Sequence, residues 1–357
     1  MTSSELSLLS GKRILVMGHT GFKGSWLTIW LCALGAEVTG YSLESEHPNG
    51  VFELSGIRRS IRHIVGDIRD TAALHAAFEQ ARPDAVLHLA AQPLVLRAWR
   101  DPRATYDVNV LGTLNVLEEL RACDSCRAGI IVTSDKCYDN KEWIYGYRET
   151  DRIGGSDMYS SSKGCAELLV HAYRHTYLPS DDYDQHGKLL MTVRAGNVLG
   201  GGDWAENRIV PDCIRSLAAG ETILLRRPQA VRPWQHVLDP LKGYLLLLAR
   251  ALEGGSAVSG AWNFGPDFSG LVTVEQLVQK LIAAWGSGNY TFPESSSAVP
   301  ESGLLNLDSC KAQHFLGWRP VWDVDATVVK TVQWYKNYAS SNVLALCLSQ
   351  IGEYMGG

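Results

Sequence analysis

The sequence contains no run approaching the roughly 20 consecutive apolar residues that a membrane-spanning helix requires. It also lacks an excess of positive charge: 33 Lys and Arg face 38 Asp and Glu, for a net charge of -5 at pH 7. A broad basic surface that would hold nucleic acid is therefore excluded, and neither nucleic acid nor membrane is expected as a partner. The opening stretch MTSSELSLLSGKR has no basic start, long apolar core or small-residue cleavage site, so no secretory leader is expected. Eight cysteines in 357 residues are too sparse for a disulfide scaffold. Cys123 and Cys126 form a lone C-x-x-C without a second pair or a histidine cluster nearby. They read as two reduced thiols near a helix end rather than a zinc or redox site, so no metal is expected and a cytoplasmic location is. Repeats, low-complexity tracts and Pro-rich linkers are missing too. What remains is an ordinary globular composition, 46% hydrophobic and 20% charged, in a chain long enough for one large two-lobed unit.

The first half alternates short β-rich runs with helical patterns. Strands are expected at 13–17, 37–42, 61–65, 85–89, 129–133 and 189–194. Helices are expected at 25–34, 71–81, 105–122 and 159–177. This order demands a parallel sheet with helices on both faces, and right-handed crossovers make it a doubly wound, Rossmann-type α/β fold. After about residue 200 the texture becomes irregular. The chain therefore divides into a Rossmann-type domain, 1–199, which the motifs below mark as NAD-binding, and a smaller C-terminal substrate-binding lobe, 200–357. Segments near 231–265 return to the large domain, and 262–264 reads as a short strand rejoining its sheet.

Between the first strand and first helix lies GHTGFKG, with Gly18, Gly21 and Gly24 in G-x-x-G-x-x-G spacing. Glycine permits positive φ and lets a pyrophosphate approach the backbone, while the following helix start offers N–H groups and a positive dipole end. A lone glycine motif is weak and could be an ordinary tight turn. Here a strand precedes it and a helix follows. Phe22 and Lys23 belong to the same cofactor loop. The second strand ends at Tyr41 to Glu44 with no Arg or Lys to meet a 2′-phosphate, which favours NAD over NADP. Glu44 has two readings, a ribose partner or a plain loop carboxylate.

Two further pieces belong at the carboxyl ends of such a sheet. Ser134, Asp135 and Lys136 follow a strand, and Tyr159 and Lys163 form Y-x-x-x-K at a helix start. The spacing puts Tyr159 and Lys163 on one helix face. A tyrosine near pKa ~10 is a poor base at neutral pH, and a neighbouring ammonium is expected to pull it down. Ser134 supplies a hydroxyl to the reacting alcohol. That set accounts for hydride transfer at a secondary alcohol; the adjoining acid and amine add acid–base capacity.

These motifs, in this order, resemble the extended short-chain dehydrogenase/reductase family. Within it the Asp135-Lys136 pair, with the blocks GHTGFKGSW, AAQPLV, SDKCYDNKEW, GYRETD and GNVLGGGDW, is similar to the nucleotide-sugar 4,6-dehydratases, specifically the branch acting on CDP-glucose. The resemblance runs from about Lys12 to about Trp334. Met158 departs from it, standing where the family usually has proline. The resemblance implies that Asp67 and Ile68 lie by the adenine, that Ala90 and Gln92 lie by the nicotinamide ribose, and that Asn109 is structural. Tyr159 and Lys163 also touch the cofactor. It implies Asn197 and Arg232 on the substrate diphosphate, with Arg208 a further candidate. Trp204 and Trp234 could wall the base or sugar, or simply pack. The implied reaction converts a nucleotide-activated hexose to its 4-keto-6-deoxy derivative in deoxysugar biosynthesis. Asp135 is the expected acid. Lys136 is either the C5 base or a charge-positioning group. A 4-epimerase or reductase of the same family is the alternative, with a non-catalytic NAD-sensing protein behind it. Relatives pair through the helices holding Asn109 and Tyr159, so a homodimer or larger homo-oligomer is expected.

Overall fold

The structure, a computed structural model, describes residues 5–267, 271–293 and 303–356. Its centre is a seven-stranded, all-parallel sheet. The strands are β1 (Arg13–Met17), β2 (Glu37–Ser42), β3 (Arg62–Val65), β4 (Ala85–His88), β5 (Ala128–Val132), β6 (Leu189–Ala195) and β7 (Gly260–Phe264). Their spatial order is β7-β6-β5-β4-β1-β2-β3. The inner strands are apolar because helices cover both faces: β4 is buried at all four positions and β6 at all seven. Strand order reverses between β1 and β4, which opens the crevice where such sheets place ligands. The short expected strand at 262–264 is real and longer: Gly260–Phe264 pairs in parallel with β6.

The first helix, α1 (Phe22–Ala33), starts three residues before the sequence pattern suggests. Gly21 caps it with extended backbone, and Ser25 Oγ returns a 2.6 Å bond to the Gly21 carbonyl. Its whole middle, from Gly24 to Leu31, is buried. One reason is a C-terminal helix, Val343–Gly356, which packs against it through Trp30 and Tyr354, whose ring centroids are 5.8 Å apart. Trp26 and Trp30 are fully enclosed, and Trp26 Nε1 donates to the Gly201 carbonyl at 3.0 Å. That bond joins the first helix to the Gly-rich loop 200–202 of the second half.

The helix expected over 105–122 is interrupted. Pro102–Tyr106 is α-helical, Asp107–Gly112 is π-helical, and the chain resumes as α-helix over Thr113–Ala122. Such wide turns cluster at functional sites. Here the wide turn carries Asn109, whose side chain accepts from Gln92 N (2.8 Å) and donates to Gln92 O (3.1 Å) and Ser162 Oγ (2.9 Å). One buried amide thus joins the loop after β4 to α2 (Met158–Thr176), the helix of Tyr159.

The chain crosses back to the large sheet. Leu238–Leu252 is a buried helix that shares one hydrophobic core with β1, β5 and β6. The pair Val198–Leu199 and Gln235–His236 lies in parallel register, and Val231–Pro233 runs antiparallel to Leu271–Thr273. The first of these links brings Gln235 N, three residues beyond Arg232, to the Asn197 carbonyl.

Candidate active site

The site is assembled at the carboxyl ends of β1, β4, β5 and β6. Gly18 adopts φ +81°, and a Cβ there would lie 2.7 Å from Ala90 N. A Cβ on Gly24 would lie 2.0 Å from the Gly18 carbonyl oxygen. Both positions are closed to any side chain, because the β1–α1 turn packs directly on the loop after β4 and on its own helix. Gly21 differs: its Cβ direction is open, with nothing nearer than 3.4 Å, and no side chain caps the helix N-terminus behind it. Tight turn, open approach and close helix packing are the three glycine tasks of a dinucleotide cradle, and the free N–H groups of a twelve-residue helix complete it. These residues fit an NAD pyrophosphate.

At the adenosine end, Ile68 is buried, and the Asp67 carboxylate is taken by Arg69 at 2.6 to 3.0 Å. The stretch Tyr41 to Glu44 lacks a cation, but tertiary structure brings one: Arg58 Nη2 meets Glu44 Oε2 at 2.8 Å and Glu53 at 3.6 Å. Glu44 is thus an ion-paired carboxylate, and the charge of Arg58 is already balanced. His19 of the glycine loop is fully buried against His63, with a 2.7 Å ring-to-ring hydrogen bond, and burial pushes its pKa down to about 3. The Gln92 side chain is saturated by Thr105, Leu94 N and Leu94 O, so it shapes the loop beside Ala90.

The reactive groups meet next to this cradle. Ser134 Oγ donates to Asp135 Oδ1 at 3.0 Å and accepts from Lys136 N at 3.2 Å, closing a single 3-10 turn, Asp135–Cys137. Asp135 is 4% exposed, and its Oδ2 is buried without a hydrogen-bond partner among the described residues. Burial raises its pKa, against the opposing charges of Lys136, Arg232 and Lys23 and the Ser134 hydrogen bond. This is a carboxyl group held toward its neutral, proton-donating form. Lys136 is half-buried beside it.

Tyr159 is nearly enclosed, and burial pushes its phenol up to about 12. The Ser134 hydrogen bond pulls it back, Asp135 adds to the rise, and Arg208 opposes it. The sequence reading gave Lys163 the task of lowering the phenol. In the structure Lys163 Nζ donates to the Val132 carbonyl at 3.2 Å, and burial lowers its own pKa to about 8. The cation acting on Tyr159 is instead Arg208, fixed by Asp203 at 2.9 Å. Asp203 in turn accepts, on its carbonyl, the Tyr335 hydroxyl at 2.5 Å.

Lys23 joins the same cluster. It is half-buried, and desolvation lowers its pKa to about 8, with Arg208 and Lys163 adding to the drop and Asp135 opposing it. The start of the first helix therefore carries a cation whose charge reaches the Asp135 carboxyl, which spacing alone could not reveal.

On the substrate side, Gln235 N donates to the Asn197 carbonyl at 3.1 Å. Arg232 is 8% exposed, donates to Val231 O and Gly303 O, and its charge reaches Asp135. A Cβ on Gly196 would meet Pro233 at 2.6 Å, so this glycine is what lets the Arg232 strand close over the Asp135 turn. The two tryptophans are packing residues. Trp234 is 3% exposed and bonded to Val272 O, while Trp204 donates to Asn49 O at 2.7 Å and lies against Tyr335 and Tyr338. Among the described residues no group of His, Cys, Asp and Glu could hold a metal ion, and no helix is long and apolar enough to cross a membrane.

Glu167 and Arg194 escaped the sequence reading. They form a buried ion pair directly behind Lys163, and the one available signal was the i, i+4 spacing of Lys163 and Glu167.

Comparison with known proteins agrees with this geometry. Residues 14–265 match the NAD dependent epimerase/dehydratase family. The chain is 42% identical over 346 residues to the CDP-glucose 4,6-dehydratase of Salmonella typhimurium, covering 97% of this chain and 96% of that protein. The fold superimposes on the dTDP-glucose 4,6-dehydratase DesIV of Streptomyces venezuelae with a TM-score of 0.78 at 24% identity, over 91% of this chain and 97% of that one. It superimposes on a UDP-glucose 4-epimerase of Thermotoga maritima with a TM-score of 0.77 at 22% identity, over 92% and 99%. The glycine cradle at the strand-order reversal, the Tyr-Lys helix and a match that spans both agree: this chain belongs to the NAD dependent epimerase/dehydratase family.

Proposed function

We propose that the protein is an NAD-dependent CDP-glucose 4,6-dehydratase, a hydro-lyase of deoxysugar biosynthesis. The 42% identity over nearly the full chain to a CDP-glucose 4,6-dehydratase supports the substrate. The observation that carries the reaction type is Asp135: a buried carboxyl, raised in pKa, with one oxygen bonded to Ser134 and the other without a partner among the described residues, beside Tyr159's cluster. Alcohol oxidation needs no such acid. Elimination of water does.

The residues divide the work as follows. Tyr159 accepts the proton of the sugar 4-hydroxyl, and Ser134 hydrogen-bonds the same oxygen. The Gly18–Gly24 turn, with Asp67, Ile68, Ala90 and Gln92, would hold NAD+, which would supply the redox chemistry of hydride removal at C4 and return at C6. Arg208 supplies the positive field that a phenolate needs, and Lys163, bonded to the Val132 carbonyl, stands on the same helix face as the phenol. The 4-ketone acidifies the C5 proton, which Lys136 accepts and gives back to C5 when the hydride returns to C6. Asp135 gives its proton to the 6-hydroxyl, which leaves as water. Asn197 and Arg232 hold the diphosphate, whose charge calls for rigid, multi-donor partners. The test is incubation with CDP-glucose and NAD+ followed by mass analysis: the product is lighter by one water. An unchanged mass would assign the chain to the epimerases of its family.

Arg232→Ala is expected to weaken CDP-glucose binding roughly 10- to 100-fold, the worth of hydrogen bonds to a charged group. Calorimetric titration checks it, and unchanged affinity would move the diphosphate clamp elsewhere.

The protein is read as cytoplasmic and as a homodimer or larger homo-oligomer. Supporting the second point, Leu111 and Leu168 are 53% and 59% exposed on the helical segments holding Asn109 and Tyr159, and Met158, which opens the second, is also exposed. Apolar side chains this exposed on neighbouring helices suit a self-association face.

A further inference from the structure

Behind the Tyr159–Lys163 pair lies a buried polar network that the proposed chemistry does not use. Glu167 and Arg194 are each 4% exposed in their side chains. Arg194 Nε meets Glu167 Oε1 at 2.9 Å, and Nη2 meets Oε2 at 2.8 Å, a two-pronged pair. Glu167 also accepts from Thr133 Oγ1 at 2.5 Å and from Thr192 Oγ1 at 2.8 Å. Arg194 continues to the Tyr138 hydroxyl at 2.6 Å, which donates to Asn263 Oδ1 at 2.9 Å. Four elements of the site are thereby locked together: α2, the end of β5, β6 and β7.

The placement within α2 matters. Tyr159, Lys163 and Glu167 follow one another at four-residue intervals and share a helix face. Lys163 binds the carbonyl of Val132, and Glu167 binds the hydroxyl of Thr133, the next residue. Ser134, Asp135 and Lys136 come immediately after. Two successive turns of the helix thus fix two successive residues of the strand end that delivers the acid and the hydroxyl.

We propose that Glu167, clamped by Arg194, is a positioning residue for the reaction: it sets the Tyr159–Lys163 helix against the Ser134–Asp135 turn and provides the countercharge to Lys163. A buried ion pair of this kind adds little net stability over apolar packing, so a role beyond stability fits its presence here. The charged and titratable groups around Lys163 are few. Glu167 on its own helix favours its ammonium form, whereas Cys137 on the 3-10 turn is a thiol that burial keeps neutral. His88 on β4, itself pushed down to about 3 by burial and so neutral, Lys23 on α1 and the Tyr159 phenol one helical turn away also stand near it. Burial opposes the ammonium most strongly. Glu167 is accordingly the largest influence keeping the charge on Lys163.

The inference rests on the dehydratase reading for its activity readout, but one measurement is independent of substrate. In full-length enzyme carrying Glu167→Gln, the Lys163 titration, followed by NMR of 13Cε-labelled lysine and assigned with Lys163→Arg, is expected to fall by about one pH unit, the low end for losing an adjacent opposite charge. The alkaline limb of the rate of nicotinamide reduction by CDP-glucose is expected to move down with it. Because Glu167→Gln leaves Arg194 buried and unpaired, the charge-balanced double variant Glu167→Gln/Arg194→Gln carries the same test. A role limited to packing would return the double variant to the wild-type titration and pH profile, and that result overturns the proposal. So does failure of both variants to fold, which would make the pair a stability element only. If the wild type does not reduce NAD+ with CDP-glucose, the substrate assignment falls while the lysine titration still decides the role of Glu167.

Discussion

Asp135→Asn is expected to stop the reaction halfway. Oxidation at C4 requires Tyr159, Lys163, Ser134 and NAD+, all left in place. Loss of water requires a proton for the 6-hydroxyl, and asparagine has none to give. Dehydration should slow by roughly 10²- to 10⁴-fold, the usual worth of general acid catalysis, while C4 oxidation persists. In a single turnover the absorbance of reduced nicotinamide should build up, together with a 4-keto-hexose that retains its 6-hydroxyl. Stopped-flow absorbance and quenched mass analysis read the two. Asparagine keeps the shape of the side chain and can still accept the Ser134 hydrogen bond, so collapse of the turn is not the expected result. The wild-type enzyme should show the same division with pH. Asp135 has a raised pKa because it is buried, so it donates below that pKa and loses this ability as pH rises through it. Oxidation, which needs the Tyr159 proton removed, has the opposite trend. Lys136→Ala sorts the remaining role: a stall equal to that of Asp135→Asn makes Lys136 the C5 base, and a benign result makes it a charge-positioning group. Wild-type dehydration rates in both variants would sink the acid–base assignment.

Tyr159→Phe is expected to abolish the first step instead. The structure holds this phenol nearly enclosed at a pKa of about 12, with Ser134 and Arg208 drawing it down against burial. Phenylalanine preserves the volume in that enclosed site and removes only the oxygen. Turnover should fall by roughly 10²- to 10⁴-fold with no reduced nicotinamide accumulating. Affinity for NAD+ and CDP-glucose should stay near wild type, because the cradle, Asn197 and Arg232 are untouched. Steady-state rates beside calorimetric titration check both parts. Near-normal turnover would place the initiating base elsewhere. The contrast between the two variants is informative in itself: one accumulates reduced cofactor and the other does not, so general unfolding cannot imitate both.

The sequence by itself determined the elements of the large sheet and named most of the residues that the structure gathers at the candidate site. Runs such as RILVM and AVLHL are strands because both faces of a parallel sheet are covered, and short continuous apolar runs satisfy that environment. The glycine spacing was legible because close backbone approach admits no other residue at Gly18 or Gly24. Tyr159 and Lys163 were legible because a helix repeats every 3.6 residues. Tertiary structure decided what depends on residues far apart in the chain. Arg58 reaches Glu44 from a separate segment, so the missing cation at the second strand end is present in space but neutralised. Arg208, held by Asp203, takes the part in Tyr159's electrostatics that local spacing assigned to Lys163. Trp204 and Trp234 pack, because neighbours from 49, 272 and 335–338 enclose them. The π-helical turn at Asn109 follows from its hydrogen bonds to Gln92 and Ser162, not from any local preference. Periodicity records which face of an element is buried; it carries no information on which charges meet across the crevice. Desolvation and distance set that balance at Asp135, Tyr159 and Lys163, and both exist only once the chain has folded.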